Sequence, residues 1–401
     1  MRVGFIPLLC GLLCILLFIL SGLPVGHELA GTGAKPTVKF VYASSGIMPQ
    51  LLNTSQVDAF IVWESVVSTA KLGKIGTVIA RDGDIPPDHK WENAACNVLV
   101  MRNNFVEQYP EIAALLSAVT IAGNHQIEKD PDTARNITAN WVYGSKPIRS
   151  AGLYLNPIDV ENQAFQYITF TSSAPLPDIS RLKSSMDEDS SQMKVDYING
   201  SVMLRAQELI NGSSPVLSND PPVVRIGYLP SSDLYAPLYV TIMSHKEICD
   251  TYGFCLAPDS GTSGRPTGAS LLYHNQTAAK VVLLPGSVGG GVMTGLGQEA
   301  MEAAYIGSVP SELQISMGND ASVIQSINAG GSGLIVDNSA PCTDWNSFIS
   351  WVKDRSAKGN PVIVAVPQSS IQEEMMREAF DYEGINILLY GIPPRWSVNG
   401  S

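Results

Sequence analysis

VVRIGYLPSSDLYAPLYV, residues 223–240, begins as a strand of the buried type, breaks at a Pro-Ser-Ser-Asp loop and resumes as a helix through 253. Strand, loop and helix in that order are the grammar of a parallel α/β sheet. The same grammar stands earlier in the chain: TVKFVYAS (37–44) reads as a strand, IMPQLLNTSQ (47–56) as a short helix, and VDAFIVW (57–63) as a second strand. Helices follow at 110–127, where Ile112, Leu115, Leu116 and Val119 keep helical spacing behind Pro110, and at 131–144, opened by Pro131 and closed by Gly144. SLLYHNQTAAKVVLL (270–284) alternates as a hairpin turning at 274–277. TDWNSFISWVKDRSAKG (343–359) is an amphipathic helix with Trp345, Phe348, Ile349 and Val352 facing inward, and VIVAVP (362–367) is another strand.

The chain has 401 residues, 45% of them apolar, enough for two or three domains with real cores. With 37 acidic against 25 basic residues, the net charge of -12 argues against nucleic acid and anionic membrane surfaces as partners. Residues 1–25 hold one arginine ahead of a long apolar run, of a length to be cleaved as a signal or retained as a membrane anchor. Residues 26–36 read as a tether, and the soft stretch at 211–222 as an internal linker dividing 37–210 from 223–397. The polar run 184–192 reads as a solvated loop or helix face. Sequons at Asn53, Asn136, Asn199, Asn211, Asn275 and Asn399 are compatible with an exported chain. Beyond the apolar run stand Cys96, Cys249, Cys255 and Cys342, with no Cys-x-x-Cys pair; a local Cys249–Cys255 bridge is open to them.

Motifs for chemistry are missing. The glycines of PGSVGGGVMTGLG (285–297) are followed by no Gly-Lys-Ser/Thr. His27, His89, His125, His245 and His274 are scattered without metal-ligand spacing, and there is no Gly-x-Ser-x-Gly elbow. What recurs is a strand end carrying glycine or a hydroxyl: Ser231-Ser232, Gly307-Ser308, Gly330-Gly331-Ser332 and Ser369-Ser370. Each reads alone as a turn or cap; together they suggest a cleft beyond the carboxyl ends of the strands.

Read in order, residues 223–240, 289–313, 330–336 and 362–376 resemble the N-terminal part of an ABC-transporter substrate-binding protein of the nitrate, sulfonate, taurine and bicarbonate group, with its thiamine-precursor relatives. Residues 38–65, 96–116 and 129–144 resemble the C-terminal part of the same family. The resemblance implies an α/β fold of two lobes, periplasmic-binding-protein-like (type II), with its two parts in circularly permuted order. One lobe would comprise about 223–338 with 99–210, the other about 339–395 with 37–98. A slice through a tandem array, the back of one binding protein followed by the front of the next, gives the same order. GINILLYGIPP (384–394) and TVKFVYASSGIMP (37–49) read as two versions of one element.

Carried over by position, the resemblance implies a cleft lined by Ser231, Ser232, Tyr235, Gly307, Ser308 and Ser332 from one lobe. Ser369, Ser370, Gln372, Trp63, Glu64 and Cys96 would face them from the other. Trp63 would stack on or close over a ligand, and a Glu64 that faces the cleft would favour a cationic or amine-bearing one. Within AVPQSSIQEEMM (365–376) either serine completes a capping box, Ser369 with Gln372 or Ser370 with Glu373. The resemblance implies that one serine caps while Ser370 faces the cleft. The expected function is extracytoplasmic capture of a small polar ligand, an oxyanion, sulfonate or related molecule, for an ABC permease and its ATPase, without catalysis, metal or cofactor. An enzyme on this fold would need reactive groups in the cleft, such as His89 or His274 turned inward. An anchored ligand-sensing module is the third reading.

Overall fold

The computed structural model describes residues 35–87, 89–144, 146–185, 197–259 and 265–390. The apolar run at 1–25, most of the tether, and most of the polar run at 184–192 lie outside them. The account below concerns the unit from Pro36 onward.

Two large sheets organise this unit, beside a short hairpin of β5 (Ile148–Ser150) and β6 (Leu153–Leu155). The first has six strands, in spatial order β16 (Asn386–Leu389), β1 (Thr37–Tyr42), β15 (Ile363–Val366), β2 (Ala59–Trp63), β14 (Ser332–Asp337) and β3 (Gly76–Arg81). β16, β1, β15 and β2 are parallel, whereas β14 runs antiparallel to both its neighbours. Alternation along β2 explains its central place: Ala59 and Ile61 enter one apolar cluster, Phe60 and Val62 another, so both faces are covered. The second sheet has eight strands: β7 (Ile168–Phe170), β13 (Ala321–Gly330), β4 (Ala95–Arg102), β12 (Ala303–Gly307), β8 (Val223–Tyr228), β11 (Gln276–Pro285), β10 (Gly268–Tyr273) and β9 (Phe254–Pro258). β8 pairs in parallel with β11 and β12, and β4 is inserted antiparallel between β12 and β13. This sheet too is packed on both faces, Leu99 and Met101 of β4 entering one cluster and Val98 and Val100 another.

Local chemistry accounts for the pieces. The hairpin of β10 and β11 turns through His274 and Asn275, both at positive φ (45° and 65°), the two-residue turn whose twist suits paired strands. The helix Pro131–Tyr143 starts where the Asp130 carboxylate accepts the Thr133 N–H at 3.1 Å and ends on Gly144 at φ 69°. The helix Trp345–Ala357 carries an Asp344/Ser347 capping box and buries Trp345, Phe348, Ile349 and Val352. A disulfide joins Cys249, in the last turn of the helix His245–Tyr252, to Cys255 on β9, while Cys96 and Cys342 are free and buried.

The chain passes between the sheets twice. β13 leaves the eight-stranded sheet at Gly330 and Gly331, at φ 73° and 86°, and β14 continues in the six-stranded one. β3 leaves the six-stranded sheet and β4 enters the other from Ala95. The crossings thus fall at 330–332 and 82–95, ahead of the boundaries near 338 and 98 expected from sequence. The result is a two-lobed, periplasmic-binding-protein-like α/β fold. β1 occupies the inner position beside β15, and β16 lies outside it, with Val38 opposite Ile387 and Lys39 opposite Leu388.

Candidate functional site

The seam between the lobes is built around the two crossings. The Glu64 N–H, just past β2, donates to the Gly331 carbonyl at 2.7 Å, and Trp63 stands opposite Ser332 in the β2–β14 register. The Ser332 N–H donates to Asp82 Oδ2 at 2.9 Å, which ties one crossing to the other. Gln372, in the first turn of the helix Ile371–Tyr382, donates from Nε2 to Ser332 Oγ at 3.0 Å, and its side chain also meets Cys96. From the eight-stranded side, the Asn97 N–H donates to Asn328 Oδ1 at 3.0 Å and Asn328 Nδ2 donates to the Leu234 carbonyl at 3.1 Å. The Tyr235 hydroxyl points at Asn97 Oδ1 from 3.5 Å, Gly307 pairs with Asn97 across β12 and β4, and Ser308 Oγ donates to the Ala95 carbonyl at 2.6 Å. Burial pushes the Asp82 carboxyl up to about 6 and the Cys96 thiol well above its usual range, so the thiol is not poised as a nucleophile.

Of the residues named from sequence, Trp63, Glu64, Cys96, Ser232, Tyr235, Gly307, Ser308, Ser332 and Gln372 line this seam, all but Trp63 and Gly307 buried. Ser231 is exposed. The two serines of the 365–376 stretch divide their work differently from expectation. Ser370 is the N-cap: its Oγ accepts the Glu373 N–H at 3.2 Å and donates to the Pro367 carbonyl at 2.6 Å, so it is committed to the helix. Ser369, at φ 53°, gives its N–H to Glu373 Oε2 at 2.7 Å. Glu373 is held in turn by the Tyr42 hydroxyl and Arg377. Neither His89, exposed beside Glu92, nor His274, on the exposed hairpin turn, enters the seam.

Sequence reading passed over the acids that join Glu64. Glu64 is fully buried; it accepts the Ser68 N–H at 2.9 Å and pairs with Arg81, whose guanidinium lies 3.6 Å from the Tyr167 ring centroid. Asp233, inside the Pro-Ser-Ser-Asp loop, turns its carboxyl toward the backbone of Ser65, and Ser65 meets the Tyr143 hydroxyl. Glu161 sits on the helix Pro157–Ala164, which packs on the helices Val66–Leu72 and Pro131–Tyr143. Both carboxyls are fully buried; neither Glu161 oxygen has a hydrogen-bond partner, and the Asp233 carboxyl has only the backbone amides of Asp233, Leu234 and Ser65 turned toward it, too loosely for well-formed bonds. Burial pushes the Glu161 carboxyl far up, with Asp233 and then Glu64 adding to it; burial and then Glu64 do the same to Asp233. Among the described residues no three His, Cys, Asp or Glu side chains are placed to hold a metal ion. Asp233 had a signal, as the last residue of a loop already singled out. Glu161 had none, for an acid on a short polar helix reads as a surface residue.

The architecture is a two-lobed, periplasmic-binding-protein-like α/β fold with a buried polar seam. Residues 25–142, under a third of the chain, match the NMT1-like family, which falls in the nitrate, sulfonate and taurine group of substrate-binding proteins. No curated protein matches the chain.

Proposed function

We propose that this protein is the extracytoplasmic substrate-binding component of an ABC importer, closing its lobes on a small molecule and presenting the closed form to a permease and its ATPase. The observation that carries the reading is the seam, where buried polar side chains from both lobes meet beyond the carboxyl ends of the parallel strands β2, β15, β8 and β12, the place where open α/β sheets take ligands. The family match over residues 25–142 supports it at the level of the group. The Cys249–Cys255 disulfide and the apolar residues 1–25 support an oxidising, extracytoplasmic setting, with the protein secreted or tethered. The pairing of β1 with β16 inside one chain supports a circularly permuted order over a tandem slice.

Thermal unfolding with a panel of small amines, oxyanions and sulfonates tests the reading. A solute present at about a hundred times its Kd adds about 2.7 kcal/mol and raises Tm. If no solute of any charge does so, the reading fails.

A further inference from the structure

Three buried carboxyl groups act on one another electrostatically beside the seam, where the family resemblance alone would lead one to expect an oxyanion site. Glu64 comes from the end of β2, Asp233 from the loop after β8 and Glu161 from the helix Pro157–Ala164, and all three are fully buried. Only Glu64 has a cation, Arg81. Two observations beside the acids point to a ligand. The first is a pair of buried polar atoms with no partner around the same loop: Ser68 Oγ, next to the amide that Glu64 accepts, and Asn97 Nδ2, on the residue facing Tyr235. The second is a cavity of about 400 Å³ lined by Lys71, Thr77, Asp84, Arg81 and Tyr167; it borders none of the three carboxyls, but the guanidinium that holds Glu64 forms part of its wall.

We infer that Glu64, Asp233 and Glu161 recognise the positively charged head of a small organic cation, an ammonium or amidinium group, and that this group marks the solute the protein carries. This deepens, and rests on, the binding-protein reading above. A buried carboxylate left unpaired costs several kcal/mol, so the cluster either holds protons or pairs with a cation. A nitrate or sulfonate there would add like charge to three acids. An ammonium or amidinium head offers several N–H donors to match the acceptors in place. Without ligand, burial and the neighbouring acids push the Glu161 and Asp233 carboxyls up, toward their protonated forms. When the cation binds, their O–H bonds break, the protons pass to solvent, and the carboxylates face the cation. The other titratable groups turned to the cluster are Arg81, Tyr143, Tyr239 and Cys96.

The test uses the whole protein with ethylamine, ethanolamine and acetamidine against nitrate, methanesulfonate and ethanesulfonate as probes. Titration calorimetry in buffers of different ionisation enthalpy reads the protons exchanged. The inference expects cations alone to raise Tm, with about two protons released per cation bound, one from each carboxyl. A doubly neutral variant, Glu161→Gln with Asp233→Asn, should bind the cations about a hundredfold more weakly. Anions raising Tm while cations do not would overturn the inference and leave the binding reading standing. So would unchanged cation affinity in the double variant, or cation binding to the unaltered protein without proton release. The last measurement decides even if the variant fails to fold. If no probe of either charge binds, the binding reading falls and this inference with it.

Discussion

Glu312 offers a direct measure of how strongly these lobes bury charge. It lies on the helix Ser308–Ser316, 2% exposed, with Oε1 lacking any hydrogen-bond partner. Burial raises its carboxyl from 4.5 to about 8; Lys183 draws it down, and Asp178 and Glu374 push it further up. The folded protein therefore holds a proton that the unfolded chain has released. Stability from this group is fully present below the ordinary value of 4.5 and is lost as pH rises through about 8. At about 1.4 kcal/mol per pH unit the interval is worth up to about 5 kcal/mol. Glu374, raised to about 7, and Asp82, raised to about 6, give slopes of the same sign, so the Glu312 share must be isolated by difference. Urea unfolding of the unaltered protein and of Glu312→Gln, followed by tryptophan fluorescence at about pH 5 and about pH 9, supplies it. The variant should gain about 3–5 kcal/mol on the unaltered protein across that range. Parallel pH profiles would refute the buried-acid reasoning.

Two further substitutions probe the scaffold. Ser370→Ala removes the N-cap of the helix Ile371–Tyr382 and should cost about 1 kcal/mol in urea unfolding, while any ligand-induced rise in Tm persists. Gly123→Ala would set a Cβ 2.4 Å from Thr241 Oγ1 and 2.5 Å from the Pro237 carbonyl, where the helices Pro110–Lys129 and Ala236–Met243 approach closely. Although alanine is the better helix former, Tm should fall by several degrees; a rise would show that the helices can separate freely.

Elements were legible wherever a local rule governs them. Trp345, Phe348, Ile349 and Val352 mark one face of a helix, and that face is buried. The His274–Asn275 turn sits between alternating strands and makes the hairpin. Sheet membership was less legible, because SVIQSINAGGSGLIV (322–336) reads as strand material interrupted by glycines. Nothing local says that the pair Gly330-Gly331 hands the chain to another sheet, since that depends on which strands wait on either side. In the seam, hydroxyl-bearing strand ends pointed to Ser308 and Ser332, whereas the family resemblance turned Ser370 toward the cleft, and its cap claims it instead. The acids were missed for one physical reason. Their burial comes from helices and loops far apart in sequence, and a carboxylate in an ordinary local setting carries no mark of it.

The bond from Ser332 to Asp82 has a mechanical corollary. A body with two parallel ligaments can rock about the line joining them yet resists twisting across it, and here the ligaments are also lashed together by that bond. The lobes are thereby given one soft direction of travel. If the protein captures a solute as proposed, binding at the seam would drive the lobes along that direction, and the same rotation would recur at each cycle of capture and release.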